Sequence, residues 1–479
     1  MRERTLDQVA RAVGGEVVPA SAGAAILRAV SIDSRKAGPG QLFVALPGER
    51  SDGHAFVADA VANGASAALV ATSRDPGDAR GGPIVRVADP AAALLELARQ
   101  ERNALSATVV GITGSTGKTC TKDLTAAVLA ERFRVVASLA SFNNEVGLPL
   151  TILSADEATE AIVCEMGSRG PGHIRLLCDV ARPQVGVVTN VGTAHMELFG
   201  SPEVLRDAKA ELPESLPEGG TAVLNADDRV VRTYAGRTRA TTLLFGLAPD
   251  AAVRAGHVVV RPRSGTAAFD VITPGGVAPV ELAVPGEHMV PNALAAAAVG
   301  HALGLSVEEI AKGLSGARVT AGRMDVFETE EGVRILDDSY NANPTSMAAA
   351  LRSARWMAGD GRCIAVLGTM AELGPISAEE HERVGELLAR LGIDVLVAVG
   401  PEARLTALGA EREGVEPERI FLYDDVDQAV ETVRRVAAPG DLVLVKASRA
   451  ARLERIAEAL RSSAGSIRPT IAPVEGMTA

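Results

Sequence analysis

The sequence predicts an α/β protein of three domains. A small α/β N-terminal domain comes first, then a central domain with a mainly parallel sheet, then a Rossmann-like, doubly wound C-terminal domain. Three observations carry this. A strand, a glycine loop and a helix follow one another over 107–131. Apolar, β-branched runs then alternate with helical spacing. The same alternation begins afresh near residue 322 and continues to 460. The boundaries read as 1–88, a connector helix over 89–106, a central unit over 107–319 and a third unit over 320–461. A polar, proline-bearing tail over 462–479 has little to bury and is expected to be disordered.

In the first unit, short strands alternate with a helix over 56–63, and the unit ends in the strand IVRVAD. Residues 89–100 form an Ala/Leu helix. The central unit opens with the strand ATVVGIT and the loop GITGSTGKT (111–119), followed by helical spacing over 118–131. Glycines let the backbone turn until several N–H groups point at one anion, and the helix start adds partial positive charge. The usual eight-residue pattern wants Gly where this chain has Ile112. A shorter form remains: Gly114, Ser115, Thr116, Gly117, Lys118 and Thr119. Lys118 can reach the β- and γ-phosphates of a nucleotide, and Thr119 can hold Mg²⁺. The strands AIVCEMG, QVGVVTN, TAVLNAD and TTLLFG continue the unit in βαβ order. Over 257–285 the pattern changes to short strands with Gly/Pro turns, read as a hairpin addition, and a helix follows over 291–303 with Pro at its start. In the third unit RILDDSY, CIAVLGTM, DVLVAVG, RIFLYDD and DLVLVKAS are strands. Helices are expected at 346–357, 378–391, 402–411, 426–437 and 451–460. There is no GxGxxG fingerprint, so nothing argues for a dinucleotide there.

Composition narrows the function classes. The chain has 479 residues, 47% of them apolar but only 3% aromatic, so Leu, Val, Ile and Ala must fill the cores. A net charge of −12 argues against nucleic acid as a partner. No apolar run reaches membrane-spanning length, so no membrane partner is expected. MRERTLDQVA lacks the apolar core of a signal peptide, and a cytoplasmic monomer is expected. The four cysteines, at 120, 164, 178 and 363, form no CxxC pair and read as reduced, packed thiols.

Further polar residues fall at strand ends, where open α/β sheets hold ligands. Glu165 ends AIVCE, His195 lies just past QVGVVTN, and Lys209 lies in the helical stretch SPEVLRDAKAEL. Each alone has a bland reading as a solvated carboxylate, a structural histidine or a surface lysine. Their order behind a phosphate loop raises the functional reading. At this point the chain resembles the Mur ligases of peptidoglycan assembly over about 31–460. TGSTGKT is that family's own form of the loop. SFNNEVGLP (141–149), CEMGSRGPGHI (164–174), TNVGTAHMELFGS (189–201), DDSYNANP (337–344) and MAELG (370–374) resemble the signatures of one member. That member joins D-Ala-D-Ala to UDP-N-acetylmuramoyl-tripeptide. The sibling that adds a diamino acid carries Asp-Asn-Pro-Arg in its last domain, and this chain has none.

The resemblance implies roles. Lys118 and Thr119 would hold ATP phosphates and Mg²⁺. Glu165 would bind that Mg²⁺, His195 a second one, and Lys209 would be carbamylated. His288 and Asn292 would meet adenine, although this chain has Met289 where the family more often has Asn. Arg323 would reach ATP from the third domain, with Asp338 and Asn341 as further contacts. Ser31, Asp33, Ser34 and Arg35 would meet the UDP-sugar, and Asn143 and Asn144 the substrate. The implied reaction activates a carboxylate as an acyl phosphate for attack by an amine. Two alternatives remain open from sequence: a sibling ligase with another amino-acid acceptor, and a P-loop ATPase or nucleotide-binding protein without ligase activity.

Overall fold

The computed structural model of the chain describes residues 1–48, 51–74, 82–192 and 196–462. Of the tail expected at 462–479, only Ser462 is described, as the last residue of the helix Glu454–Ser462; the remainder lies outside the described residues.

The first body is a five-stranded sheet in the order Glu16–Val18, Ile84–Val87, Ala67–Ala71, Gln41–Val44, Ala29–Ser31. All neighbours are parallel except the outermost, Glu16–Val18. The strand Ala67–Ala71 is buried at every position, as an uninterrupted apolar run in the middle of a parallel sheet must be. The helix Pro90–Ala104 begins with Asp89 capping two N–H groups and Pro at its first turn. Its Leu94 and Leu97 share one core cluster with Leu148, Ile152 and Leu177 of the next body. The expected connector is thus buried mortar between two bodies.

The second body holds nine strands: Val135–Ala137, Ala161–Glu165, Thr108–Thr113, Val185–Val188, Thr221–Asn225, Thr241–Gly246, Val253–Val260, Thr266–Thr273 and Gly276–Pro285. The first seven run parallel, and the last two join through antiparallel pairings. The chain order reverses on either side of Thr108–Thr113. The C-terminal end of that strand is therefore the switch point, where a ligand crevice opens. The region read as short strands from 257 is instead three long strands starting at Val253, and they extend the main sheet. Alternating burial along Thr266–Thr273 and Gly276–Pro285 explains the length, since one face lies under the helices Met289–Ala302 and Val307–Gly316. Met289–Ala302 is rich in alanine because it is enclosed. A Cβ on Gly300 would stand 2.7 Å from Val128 Cγ1 of the helix Lys118–Ala130.

The third body is a six-stranded sheet in the order Asp325–Glu328, Arg334–Asp337, Leu442–Lys446, Cys363–Gly368, Val395–Val399, Ile420–Tyr423. It is parallel except for its first strand, which no apolar run announced and which hairpins onto Arg334–Asp337. The last helix begins at Glu454 rather than 451, because a single 3₁₀ turn, Arg449–Ala451, precedes it. All four cysteines are buried and unpaired. No helix among the described residues is long and apolar enough to cross a membrane.

Candidate active site

The phosphate loop owes its shape to two glycines and a neighbouring strand end. Gly114 has φ 147° and Gly117 has φ 77°, conformations that L side chains rarely adopt. Space forbids a side chain as well. A Cβ on Gly114 would stand 1.9 Å from Thr189 Oγ1, and one on Gly117 2.4 Å from Asn292 Oδ1. Asn190 fastens the loop. Its carbonyl accepts from the Ser115 N–H (3.0 Å) and its Oδ1 from the Thr116 N–H (2.9 Å), while its Nδ2 donates to Thr116 Oγ1 (2.8 Å). Thr189 Oγ1 donates to the Thr116 carbonyl (2.6 Å), and the Gly192 N–H donates to Ser115 Oγ (2.9 Å). The first N–H groups of the helix Lys118–Ala130 have no acceptor inside the helix, and the macrodipole makes that end attractive to an anion.

Lys118 folds back over the loop, its Nζ donating to the carbonyls of Gly114 (2.8 Å) and Ser115 (3.3 Å). Burial pushes its pKa down and nearby Arg323 adds to that, while Glu165 works against both. Glu165 ends its strand with 1% exposure. Its Oε1 accepts from Asn143 Nδ2 (2.8 Å), but its Oε2 is buried with no partner. A carboxylate oxygen left so costs stability, and a cation resolves the cost. Among the described residues no cluster of three or more His, Cys, Asp or Glu side chains could hold a metal. A carboxylate-poor site suits Mg²⁺, which takes most of its oxygens from water and phosphate.

Arg323 crosses from the third body. Its Nη2 donates to Thr119 Oγ1 (3.2 Å), its guanidinium lies 4.3 Å from the centre of the Tyr340 ring, and its Nε is buried without a partner. Arg449 approaches the same ring at 5.4 Å. These groups line one cavity of about 400 Å³ between the second and third bodies, together with Asn143, Glu165 and Asn341. Asp338 does not line it. It is paired with Lys446, which is buried and also donates to the Asn341 carbonyl (2.9 Å), while Asp338 Oδ1 accepts from the Met324 N–H (3.2 Å). Asp338 therefore shapes the loop that presents Asn341.

Asn292 lies beneath Gly117, accepting from Thr121 Oγ1 (3.3 Å) and donating to the His288 carbonyl (3.3 Å). Burial lowers the pKa of His288, which keeps it neutral. Lys209, on the helix Pro202–Glu214, is 1% exposed. Burial, then repulsion by Lys118, pushes its pKa well below the ordinary lysine value. His195 lies outside the described residues. The helix just after it, Met196–Phe199, abuts the third body, where a Cβ on Gly374 would stand 3.1 Å from Glu197 Cβ.

Ser31, Asp33, Ser34 and Arg35 are not brought to this cavity. They form a turn after the strand Ala29–Ser31, in which Arg35 Nε and Nη2 both bond Asp33 at 2.8 Å and hold its pKa down at about 2. Ser31 Oγ donates to the Asp33 carbonyl (3.0 Å), and the Ser34 carbonyl accepts from Asn63 (3.0 Å). Asn144 Oδ1 accepts from the N–H groups of Val146 (3.2 Å) and Gly147 (2.9 Å), and so opens the helix Gly147–Leu153. Sequence reasoning missed Thr189, Asn190, Tyr340 and Lys446. Thr189 and Asn190 open the signature TNVGTAHMELFGS and Tyr340 lies in DDSYNANP, whereas Lys446 leaves only a lysine closing an apolar strand.

Matches to known families follow the three bodies. The description "Mur ligase family, catalytic domain" matches residues 27–102, "Mur ligase middle domain" residues 112–300, and "Mur ligase, glutamate ligase domain" residues 322–449. The chain belongs to the Mur ligase family. It is 42% identical to UDP-N-acetylmuramoyl-tripeptide–D-alanyl-D-alanine ligase of Mycobacterium tuberculosis, over 98% of this chain and 100% of that protein. A crystal structure of MurF from Acinetobacter baumannii matches with TM-score 0.84 at 30% identity, covering 96% of this chain and 99% of that one. MurF ligase from Thermotoga maritima in complex with ADP matches with TM-score 0.77 at 32% identity, covering 91% and 97%.

Proposed function

We propose that this protein is an ATP-dependent amide ligase that joins D-alanyl-D-alanine to UDP-N-acetylmuramoyl-tripeptide in the cytoplasm, forming ADP, phosphate and UDP-muramoyl-pentapeptide. One observation carries the reading: the partnerless Oε2 of Glu165 shares a cavity with Lys118 and Thr119 and with Arg323 from another body. The full-length likeness to a relative named for this reaction supports the acceptor.

A carboxylate does not react with an amine until one of its oxygens becomes a good leaving group. The tripeptide carboxylate attacks the γ-phosphorus of ATP and ADP departs, leaving an acyl phosphate. The amine of D-Ala-D-Ala attacks the acyl carbon, loses a proton, and phosphate leaves. Gly114 to Gly117 and the helix start bind the phosphates through N–H groups, Lys118 neutralises charge on the transferred group, and Arg323 adds a second cation from across the cleft. Thr119, Glu165 and, by resemblance, His195 and Lys209 would hold Mg²⁺, which supplies positive charge against the repulsion between a carboxylate and a triphosphate. Lys209 suits carbamylation because only a neutral amine adds to CO₂, and its burial beside Lys118 favours that form. We assign adenine to His288 and Asn292, the γ-phosphate side to Asn341, and the UDP-sugar to the turn of Ser31 to Arg35. Closure of the third body over the second excludes water that would hydrolyse the acyl phosphate.

Phosphate release, assayed with each UDP-muramoyl peptide against a panel of amines, tests the reading. Release is expected with the tripeptide and D-Ala-D-Ala. Equal turnover with diaminopimelate on a UDP-muramoyl-dipeptide would overturn the acceptor.

A further inference from the structure

Two neighbouring residues on the phosphate-loop helix each grip a segment that leads to a site residue. Lys122 is 2% exposed, and its Nζ donates to the carbonyls of Ser138 (2.8 Å) and Ala140 (3.3 Å). Ala140 has φ 47°, a conformation strained for a residue with a side chain, so this turn is held rather than free. The turn leads into Ser141, whose Oγ lies 3.2 Å from Thr119 Oγ1, and Asn143, which bonds Glu165. The other grip belongs to Asp123. Its Oδ2 accepts from both the N–H and the Oγ1 of Thr320, each at 2.8 Å, in the strand-free connector between the second and third bodies. Three residues later, at the start of the third body, stands Arg323, which returns to Thr119. Lys122 Nζ and Asp123 Oδ1 are themselves 2.6 Å apart, so the two grips are one unit.

We propose that Lys122 and Asp123 form a positioning pair. Lys122 sets the metal-side loop through Ser141 and Asn143, and Asp123 sets the approach of Arg323 through Thr320. Neither touches a reacting atom in the proposed reaction. The pair translates one turn of one rigid helix into the placement of groups from two other segments. A helix is a suitable base for this, because groups four residues apart lie on one face and keep their spacing. Thr119 and Asp123 are such a pair; one meets Arg323 and the other the connector. For turnover the proposal rests on the ligase reading; for nucleotide binding it does not.

The test uses the full chain and double-mutant cycles. Thr320→Val keeps the shape and the backbone N–H but removes the hydroxyl. It is expected to lower kcat about three- to tenfold while KM for ATP stays within about twofold, the signature of an interaction realised in the transition state. In an Arg323→Ala background the same substitution should have no further effect. Lys122→Met is followed by titration with a fluorescent ATP analogue, with and without Mg²⁺. The enhancement of binding by Mg²⁺ should fall about tenfold, Lys122→Arg should recover part of it, and an Asn143→Ala background should absorb the loss. Losses of equal size in the variant and wild-type backgrounds, or losses that simply follow the drop in Tm, would overturn the proposal. If Lys122→Met does not fold, the Thr320→Val cycle decides. If wild-type protein releases no phosphate with D-Ala-D-Ala, the ligase reading fails, while the Mg²⁺-dependent binding cycle still decides the role of Lys122.

Discussion

Single side chains in this site are under opposite demands, and their surroundings resolve them. Lys118 is half-buried and bonds only carbonyls of its own loop, so Lys118→Ala should stay folded yet lose at least about 10²-fold in turnover, as expected when a charge on the transferred phosphoryl is removed; phosphate release and a melting curve check both halves. Asn190 makes four hydrogen bonds to the loop, three of them through its side chain. Asn190→Ala should raise KM for ATP about tenfold or more, because N–H groups that were pre-aimed become mobile. Lys209 has a folded pKa below its unfolded one. Between those two values the unfolded chain holds a proton that the folded chain lacks, so this group's contribution to stability rises with pH toward the ordinary lysine value and is poorest below the folded pKa. Without bicarbonate, the Tm advantage of Lys209→Met over wild type should therefore shrink as pH rises from about 7 to about 9.5. Added bicarbonate should raise Tm of wild type and leave Lys209→Met unmoved, since a modifier that binds only the folded state stabilises it.

At the level of elements, strand ends matter more than strand middles. The middles are apolar and interchangeable, whereas the ends carry Glu165, Thr189, Asn190 and Lys446. Lys446 with Asp338 is a buried ion pair beneath the loop of Asn341. Removing one partner strands the other, so Lys446→Met should cost about 3–5 kcal/mol in urea unfolding. Arg383→Ala, which breaks exposed helix pairs with Glu379 and Glu380, should leave the urea midpoint essentially unchanged. The strands and helices that flank the loop were legible because parallel sheets demand unbroken apolar runs and their helices keep a 3.6-residue period. The edge strand Asp325–Glu328 was not legible. Its residues are half-buried or exposed at three of four positions, so the sequence carries no run to see. The strands after Val253 are longer than their Gly/Pro turns suggest, because a covering helix imposes period-two burial along them.

Across the whole molecule the cavity exists only because the third body meets the second. Arg323, Tyr340 and Asn341 come from one, and Lys118, Thr119 and Glu165 from the other. A site assembled this way can judge its acceptor by whether all its polar groups find partners. Free D-Ala should be rejected by about 10⁴-fold relative to D-Ala-D-Ala, since buried groups meant for the second residue and carboxylate stay unpaired. A dipeptide altered by one methylene should lose only about 10–200-fold. Competing kcat/KM measurements for the acceptors would show the order, and the reverse order would refute it.

From sequence alone the loop GITGSTGKT, the strand–helix alternation and the motif order were readable, because each is set by local sterics and periodic burial. These determined the α/β class and the family. Tertiary structure decided which polar residues serve the ligand and which serve the protein. Asp338, expected to face the nucleotide, is engaged by Lys446, 108 residues away in sequence. Asn144 Oδ1 accepts N–H groups at the start of a helix, and Asp33 and Arg35 hold one another in the turn assigned to the UDP-sugar. Asn190, Lys122 and Asp123 gained their positions from partners remote in the chain. A polar side chain's role depends on which donors and acceptors surround it once water is gone, and that is a property of packing between segments rather than of any one segment.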